Sequence, residues 1–360
     1  MDRIKRIYEA FKSSGQFISA TPYGSGHIND TYLVKVDEEA EYILQRINGN
    51  IFTDIPKLVR NKELVCGHIR NRLIKHKIND ITRKYITYFY TNKGKPYYKD
   101  YDGNYWTLAL FIKGSRNYEV VTSAPMAYEF GIGLGEFENR ISDFDASLLI
   151  ETIPDFHHVV HKQNELQDAL LKAEDEKIEK SRELVTYLSS LDPEMTDFQT
   201  MKDEHYFPSR VTHNDTKVNN LLFDGNNHPL CMIDLDTVMP GIVHYDFGDA
   251  ARSCCNTAGE ETTNLNLVYF NIEYFKAFCT GFMEKTKHLL TRKEKETLGF
   301  SCKLMTYLQA IRFLTDYLQG DLYYPVTYTD QNLQRTRVQV KLLKDITKQA
   351  DRISRFILEN

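Results

Sequence analysis

The segment 213–220 places four polar side chains of different chemistry within eight residues. His213, Asp215, Lys217 and Asn220 supply an imidazole, a carboxylate, an ammonium group and an amide, and an apolar run follows at 221–223. A single Asp or Asn in a loop commonly does no more than close a turn. Four such residues at fixed offsets before an apolar strand-like run instead indicate a site that handles protons and charged ligands.

A further acidic residue follows this segment after a turn. Residues 224–229 are rich in turn formers and separate two apolar runs, so we predict a β-hairpin centred near residues 226 and 227. Such a hairpin brings Asn220 opposite the neighbourhood of Asp234 and leaves Asp215 at the same open end. Carboxylate and amide oxygens suit Mg²⁺, which prefers oxygen ligands and phosphate partners. The sequence therefore predicts a magnesium site that includes Asn220 and Asp234.

The order of residues in segment 213–220 resembles the catalytic loop of protein kinases and of their small-molecule relatives. This resemblance implies that Asp215 accepts the proton of the attacking hydroxyl and that Asn220 binds Mg²⁺. Asp234 then links the metal to the phosphates, and Lys217 neutralises the transferring phosphoryl group. His213 opens the motif and is counted with the catalytic residues.

Asp246, Phe247 and Gly248 spell a second sequence that is typical of a metal-binding loop in kinases. The predicted hairpin places Asp234, not Asp246, beside Asn220. We therefore assign the metal to Asp234 and expect Asp246 and Asp249 to brace the region around His213 through hydrogen bonds.

A glycine-rich turn at Gly24, Ser25 and Gly26 precedes strand-like residues. It fits neither a Walker A loop nor a dinucleotide-binding turn, because both of these open a helix. Two interpretations remain, a glycine-rich hairpin over nucleotide phosphates and a simple hairpin turn. The kinase-like motif downstream favours the first.

A kinase-like lobe also requires a cation on its third strand, paired with a helix glutamate. The strand-like segment EYILQRI contains no lysine. We predict that Arg46 holds the phosphates, with more donors than a lysine and a fixed charge, and that Glu63 is its partner. Gln45 faces the opposite side of the strand and is the alternative that points inward.

The pattern along the chain indicates two lobes that position these residues. Strand-like runs and one helix-like stretch fill the first 110 or so residues, and helical periodicity dominates afterwards. We predict an α+β protein with an N-terminal nucleotide-binding lobe at 1–112, made of a small antiparallel sheet and a helix. A larger, mainly helical catalytic lobe follows at 113–360. The linker at 111–113 is predicted to contact adenine through its backbone.

Several segments carry a resemblance to the aminoglycoside phosphotransferase and choline kinase superfamily, chiefly HNDTKVNNLLFD and IDLDTVMPG. More narrowly, GSGHINDTY, YILQRIN, DFGDAAR and RFLTDYLQGDLYY are similar to segments of bacterial N-acetylhexosamine 1-kinases. The resemblance implies a two-lobed protein-kinase-like fold that uses ATP and Mg²⁺. It also implies phosphorylation of the anomeric hydroxyl of N-acetylglucosamine or N-acetylgalactosamine, with the sugar bound on the helical lobe near Asp215.

The segment AIRFLTDYLQGDLYY is the best source of a sugar site. It presents Arg312 and Asp316 one helical turn apart on one side of a helix. In a sugar site, Arg312 would donate to hydroxyls or to the acetamido oxygen, and Tyr323 or Tyr324 would stack on the sugar. A structural Arg–Asp pair on a helix explains the same spacing equally well.

Two other functions are compatible with the motif. A kinase of choline, homoserine or an aminoglycoside requires clustered carboxylates or an aromatic cage for cationic substrates, and the acidic residues of the helical lobe show no obvious cluster. A catalytically inactive nucleotide-binding relative has no need to keep Asp215, Asn220 and Asp234 together.

Composition narrows the class of protein. The net charge of −5 gives no basic excess, so we expect no nucleic-acid partner. No window approaches the roughly 20 apolar residues of a membrane-spanning helix, and the N-terminus lacks the apolar run of a signal peptide. Six cysteines without CxxC spacing predict reduced thiols. We therefore expect a cytoplasmic monomer that contacts no membrane.

One histidine pair has the spacing of a metal site. His157 and His161 are four residues apart, but the glutamate that follows the first histidine in metalloproteases is replaced by His158. This favours an ordinary polar helix start over zinc binding.

Overall fold

The computed structural model describes residues 2–24 and 28–360. The chain forms two compact units. The first comprises Met1–Arg116, Arg140–Pro154 and Leu222–Pro240, and the second comprises Asn117–Asn139, Asp155–Leu221 and Gly241–Asn360. The sequence predicted a single boundary between residues 112 and 113, whereas the first unit also takes in two later segments.

The first unit is built on a six-stranded antiparallel sheet with the order β1-β2-β3-β6-β4, in which β5 also pairs with β6. The last long strand ends before residue 112, where the Phe111 amide donates to the Glu41 carbonyl at 2.9 Å. The elements are α1 (Asp2–Tyr8), β1 (Phe17–Pro22), β2 (Asp30–Val36), β3 (Glu41–Ile47), α2 (Ile55–Lys75), β4 (Tyr88–Phe89), β5 (Tyr98–Lys99) and β6 (Tyr105–Leu110).

Strand β3 separates the two sides of this sheet because successive side chains point to opposite faces. Tyr42 and Leu44 are buried in one cluster with residues of α1. Ile47 is buried in another cluster with residues of α2. Arg46 therefore shares the face of Leu44, and Gln45 shares the face of Ile47 that α2 covers.

The predicted hairpin is confirmed. Strands β8 (Leu221–Phe223) and β9 (Pro229–Met232) pair as a two-stranded sheet. The Asp224 amide donates to the His228 carbonyl at 2.9 Å across the turn, and Asn227 takes a positive φ of 66°. The motif residue Asn220 directly precedes β8, and Asp234 follows β9 by two residues.

The second unit is mainly helical. Its core lies around α10, which is buried along most of its length and packs with residues of α4, α5, α6 and α11. The remaining elements of the chain are α3 (Ala124–Ile141), α4 (Val159–Leu170), α5 (Asp175–Ser189), α6 (Asp192–Asp203), β7 (Arg210–Thr212), β10 (Met239–Gly241), α7 (Val243–Cys254), α8 (Ile272–Thr286), α9 (Arg292–Thr297), α10 (Phe300–Gln319) and α11 (Gln331–Glu359).

Helices α3 and α8 cross at two glycines. A Cβ on Gly131 of α3 would collide with the Phe278 carbonyl, and one on Gly281 of α8 would collide with the Tyr128 carbonyl. The crossing brings the two backbones into direct contact and fixes α3, which carries a residue of the site described below.

The small antiparallel sheet and the larger helical part confirm the predicted α+β class. Within the described residues, no helix is both long and apolar enough to cross a membrane.

Candidate active site

Helix α7 holds the backbone of the loop that follows β7. Asp246, which is fully buried, accepts hydrogen bonds from the amides of His213 and Asn214 at 2.7 Å each. The Thr216 hydroxyl donates to the Asp246 carbonyl at 2.7 Å. Asn214 adopts a left-handed backbone with φ of 64°, which turns the chain at this point. The prediction that Asp246 braces the region around His213 is confirmed.

The DFG sequence lies inside α7, so a helix stands where a metal-binding loop would be in a kinase. The Phe247 ring packs against Phe278 and Phe282 of α8, with ring centroids 5.2 and 5.0 Å apart. A Cβ on Gly248 would collide with the Ser301 carbonyl of α10. Helix packing therefore accounts for the phenylalanine and the glycine.

A second buried carboxyl lies against Asp246. Glu138 of α3 is 5% exposed and its carboxyl group hydrogen-bonds to Asp246. Burial, together with the charge of Asp246, raises the pKa of Glu138 well above its usual range. Burial also raises the pKa of Asp246, but Asp246 accepts two backbone N–H groups, which stabilise its ionised form. Glu138 therefore keeps the proton and donates it to Asp246.

Asp215 lies within hydrogen-bonding distance of two other motif residues. The Lys217 Nζ is 3.1 Å from Oδ2 of Asp215, and the Asn220 amide nitrogen donates to the same oxygen at 2.9 Å. Burial opposes ionisation of Asp215, but Lys217, His213 and Arg252 outweigh it, so that the pKa of Asp215 is lowered. The side chain is 29% exposed. Asp215 is thus an ionised acceptor that a ligand can reach.

The predicted metal ligands fall in different units. Asn220 of the second unit also donates to the Asp215 carbonyl at 2.9 Å, so its amide hydrogens are used and its oxygen is the atom left for a cation. Asp234 of the first unit takes a left-handed backbone with φ of 60° before a short 3₁₀ turn. A rim that joins Asp215, Asn220 and Asp234 stays a prediction.

Arg312 of α10 is linked to the loop at 213–220 through His157. It donates to Nδ1 of His157 at 2.9 Å and to the Phe156 carbonyl. Because arginine can only donate, Nδ1 accepts and Nε2 carries the hydrogen, which is donated to the Asn214 carbonyl at 3.2 Å. Burial and the charge of Arg312 lower the pKa of His157 well below its usual range. The sequence missed this role of His157, because only the partner from α10 reveals it.

Asp316 holds the loop that follows α10. The carboxylate is 3% exposed, and its Oδ1 accepts from the amides of Leu322 and Tyr323 at 2.8 Å. Its Oδ2 accepts from the amide of Tyr324 and the side chain of Asn332 at 2.9 Å. All four acceptor positions of the carboxylate are occupied. The structure therefore gives Asp316 a structural role in place of the predicted substrate contact.

The loop held by Asp316 carries Tyr323, whose hydroxyl is affected by charges of the loop at 213–220. Burial raises the pKa of Tyr323, and the charges of Tyr324, Arg312, Asp215 and Lys217 also act on its hydroxyl. Hydrogen bonds through His157 link Arg312 to the residue before Asp215, and the charges of both Arg312 and Asp215 act on Tyr323.

Two carboxylates of the second unit pair with Arg252. Asp249 accepts from Arg252 of the same helix at 2.8 and 3.0 Å, and Arg252 also pairs with Glu260. Arg252 is 4% exposed, and its charge helps to lower the pKa of Asp215. Asp249 therefore braces Arg252, whereas Asp246 alone accepts from the backbone at His213 and Asn214.

The predicted pair of Arg46 and Glu63 is not formed among the described residues. Arg46 donates to Asp30 at 2.6 Å and to Asn104 at 3.1 Å, whereas Glu63 hydrogen-bonds to the Tyr90 hydroxyl. The reason is the strand alternation, which turns Arg46 to the sheet face opposite α2. Gln45, the alternative that the sequence offers, is the residue on the α2 side of the strand.

A cation does lie on the α2 side of the sheet, since Lys62 of α2 forms a buried ion pair with Asp236. The sequence gives no signal for this pair, because Lys62 lies on α2 and its partner is 174 residues away. Gly24 has a left-handed backbone with φ of 86°. Ser25 and Gly26 lie outside the described residues, so the glycine-rich hairpin stays a prediction.

Comparison with known proteins agrees with the kinase-like motif. The model of the phosphotransferase enzyme family (APH) matches residues 19–267. An aminoglycoside phosphotransferase from Alicyclobacillus acidocaldarius superimposes with a TM-score of 0.61 at 11% identity, over 99% of this chain and 96% of that chain. An amicoumacin kinase in complex with AMP-PNP and Ca²⁺ has a TM-score of 0.59 at 12% identity, over 94% and 92%. An ethanolamine kinase from Plasmodium vivax superimposes with a TM-score of 0.57 at 12% identity, over 92% of this chain and 83% of that chain. At these identities the three structures show a shared kinase-like fold.

The pair of Glu138 and Asp246 predicts a pH-dependent stability. Glu138 stays protonated in the folded protein but ionises near pH ~4.3 when unfolded. Its stabilising effect is therefore present at low pH and is lost as pH rises through the raised folded-state pKa, at up to about 1.4 kcal/mol per pH unit. Glu138→Gln keeps the donor and removes this dependence.

Urea unfolding measures the pH dependence of the free energy of unfolding. The proteins compared are the wild type, Glu138→Gln and the exposed control Glu204→Gln, from pH 5 to pH 8 (about 1 to 4 units above an ordinary Glu pKa). The free energy of unfolding of Glu138→Gln should rise relative to the other two as pH increases. Parallel curves for all three proteins would show that Glu138 does not hold the proton.

Proposed function

Because the chain belongs to the phosphotransferase enzyme family, we propose that it transfers the γ-phosphoryl group of ATP to the anomeric hydroxyl of an N-acetylhexosamine. The products are ADP and the sugar 1-phosphate. The observation that carries the proposal is the ionised Asp215, held between Lys217 and Asn220 on a loop that His157 links to Arg312. The family and the fold make the protein a kinase-like phosphotransferase that acts on a small molecule.

In this proposal Asp215 orients the anomeric hydroxyl and accepts its proton. The sugar oxygen forms a bond to the γ-phosphorus, and the bond from that phosphorus to the β,γ-bridging oxygen breaks, with its electron pair leaving on ADP. Phosphoryl transfer has a loose transition state in most analyses, so positioning and charge neutralisation dominate catalysis. Lys217, 3.1 Å from Asp215, is placed to neutralise charge on the transferring group.

The donor atoms of the two predicted ligands suit a divalent cation. The oxygen of Asn220 is left over from its two hydrogen bonds to Asp215, and Asp234 adds a carboxylate. Oxygen donors of this kind suit Mg²⁺. Bound there, Mg²⁺ would neutralise phosphate charge during transfer.

A neutral substrate is favoured by the charges of the second unit. A cationic amine such as choline or an aminoglycoside requires unpaired carboxylates. Asp249 pairs with Arg252 through Oδ1, Glu260 pairs with the same arginine, and the Asp316 carboxylate is saturated by four donors. Arg312 uses one amino group on His157 and Phe156, which leaves its other N–H groups for an uncharged acceptor such as a hydroxyl or acetamido oxygen.

The test is ADP release with a panel of acceptors, with the product phosphate located by ³¹P NMR. N-Acetylglucosamine and N-acetylgalactosamine should be the best acceptors and give 1-phosphates. Their methyl glycosides, which lack the anomeric hydroxyl, are the matched controls and should be inert. Preferred turnover of choline, ethanolamine, homoserine or an aminoglycoside would refute the sugar assignment and leave the family unaffected.

The metal assignment predicts how three variants respond to Mg²⁺. Asn220→Ala and Asp234→Ala should raise the Mg²⁺ concentration that gives half-maximal turnover, because each removes an oxygen ligand. Asn219→Ala, the neighbouring amide, is the control and should behave as the wild type. Asp246→Ala should lower the free energy of unfolding instead. A folded Asp246→Ala with an altered Mg²⁺ requirement, beside an unaffected Asp234→Ala, would move the metal site to Asp246.

A further inference from the structure

Lys62 is a charged side chain in an unusually buried position. It lies on α2 and is 1% exposed, and its ammonium group pairs with Asp236, which is 2% exposed. The Nζ atom lies 5.6 Å from the centre of the Tyr88 ring. A buried ion pair is weak evidence of stabilisation, since removing two charges from water is costly. Its presence in the first unit therefore calls for another explanation.

The pair connects segments that the sequence assigns to the nucleotide. The second oxygen of Asp236 accepts from the Asn29 amide at 2.5 Å, and Asn29 follows the glycine-rich turn by three residues. Asp236 itself lies two residues after Asp234. Burial raises the pKa of Tyr88 well above its usual range, and the charges of Asp236 and Asp234 add to this effect. Lys62 thus lies in the same neighbourhood as the proposed metal ligand.

Helix α2 is fixed at this position by the residue next to Lys62. The Asn61 amide donates to the carbonyls of Ile150 and Val238 at 2.8 and 2.9 Å, and its oxygen accepts from the Ile150 amide at 3.2 Å. Asn61 is 1% exposed. Val238 lies two residues beyond Asp236, so the same helix turn is tied to both ends of this short segment.

Strand β3 supplies no cation on this side of the sheet among the described residues. Arg46 is turned to the other face, where Asp30 and Asn104 bind it. Gln45, on the α2 side, is neutral and donates to Thr31 at 3.4 Å. In kinases the phosphates are contacted by a strand lysine that a helix glutamate orients. Here the lysine is on the helix, and the carboxylate that orients it follows β9.

We propose that Lys62 binds the α- and β-phosphates of the nucleotide, with Asp236 and Asn29 holding it in position. This inference rests on the proposed kinase function. An ammonium group has three N–H donors. One is used on Asp236, and the other two serve phosphate oxygens.

Isothermal titration calorimetry with ADP and with adenosine tests the assignment. Removing Lys62 alone would leave Asp236 buried and unpaired, so the comparison is between Asp236→Asn and the double variant Lys62→Met/Asp236→Asn. The double variant should bind ADP about 10- to 100-fold more weakly than Asp236→Asn, as expected for loss of a charged hydrogen bond. Both should bind adenosine equally, because adenosine has no phosphate.

Arg46→Gln is the matched control and should bind ADP as the wild type does. Equal ADP affinity of the double variant and Asp236→Asn overturns the assignment of Lys62 alone, and weak ADP binding by Arg46→Gln returns the role to Arg46. A wild-type protein that binds ADP no better than adenosine overturns the kinase function as well.

Discussion

The carboxylate of Asp246 is the point on which the geometry of the second unit depends. It accepts hydrogen bonds from the backbone amides of His213 and Asn214 and so fixes the backbone that carries Asp215. A buried carboxylate is stable only when donors compensate for its lost hydration. Two backbone amides and the proton of Glu138 provide this compensation. The Asn214 carbonyl then accepts a hydrogen bond from His157, and His157 accepts one from Arg312 of α10. The loop is thereby tied to α10.

The first unit depends on an analogous arrangement, in which one buried carboxylate fixes the groups around it. Asp236 holds Lys62 and Asn29, as Asp246 holds the catalytic loop. In both units the residues that touch ligands in our proposals are kept in place by carboxylates that do not themselves react. Positioning of this kind is the main contribution a protein makes to phosphoryl transfer.

The sequence predicted what depends on local spacing. The hairpin of β8 and β9 follows from a turn cluster between two apolar runs, and the proximity of Asp215, Lys217 and Asn220 follows from their offsets. What it missed depends on contacts between distant segments. The pairing of Lys62 with Asp236 spans 174 positions of the chain, and no periodicity within α2 indicates it. The phosphate-binding role predicted for Arg46 follows from the position of the usual kinase lysine. The alternation of side chains along β3 instead places Arg46 on the sheet face opposite α2.

The central claim is that Asp215 is the base, and the kinetics of Asp215→Asn with ATP and N-acetylglucosamine test it most directly. The substitution keeps the shape and the hydrogen-bonding positions but cannot take the proton. General-base contributions are typically ~10²–10⁴-fold, so kcat should fall by about that factor while the affinity for ATP is unchanged. A folded variant with a kcat close to that of the wild type would contradict the assignment of Asp215 and the mechanism built on it.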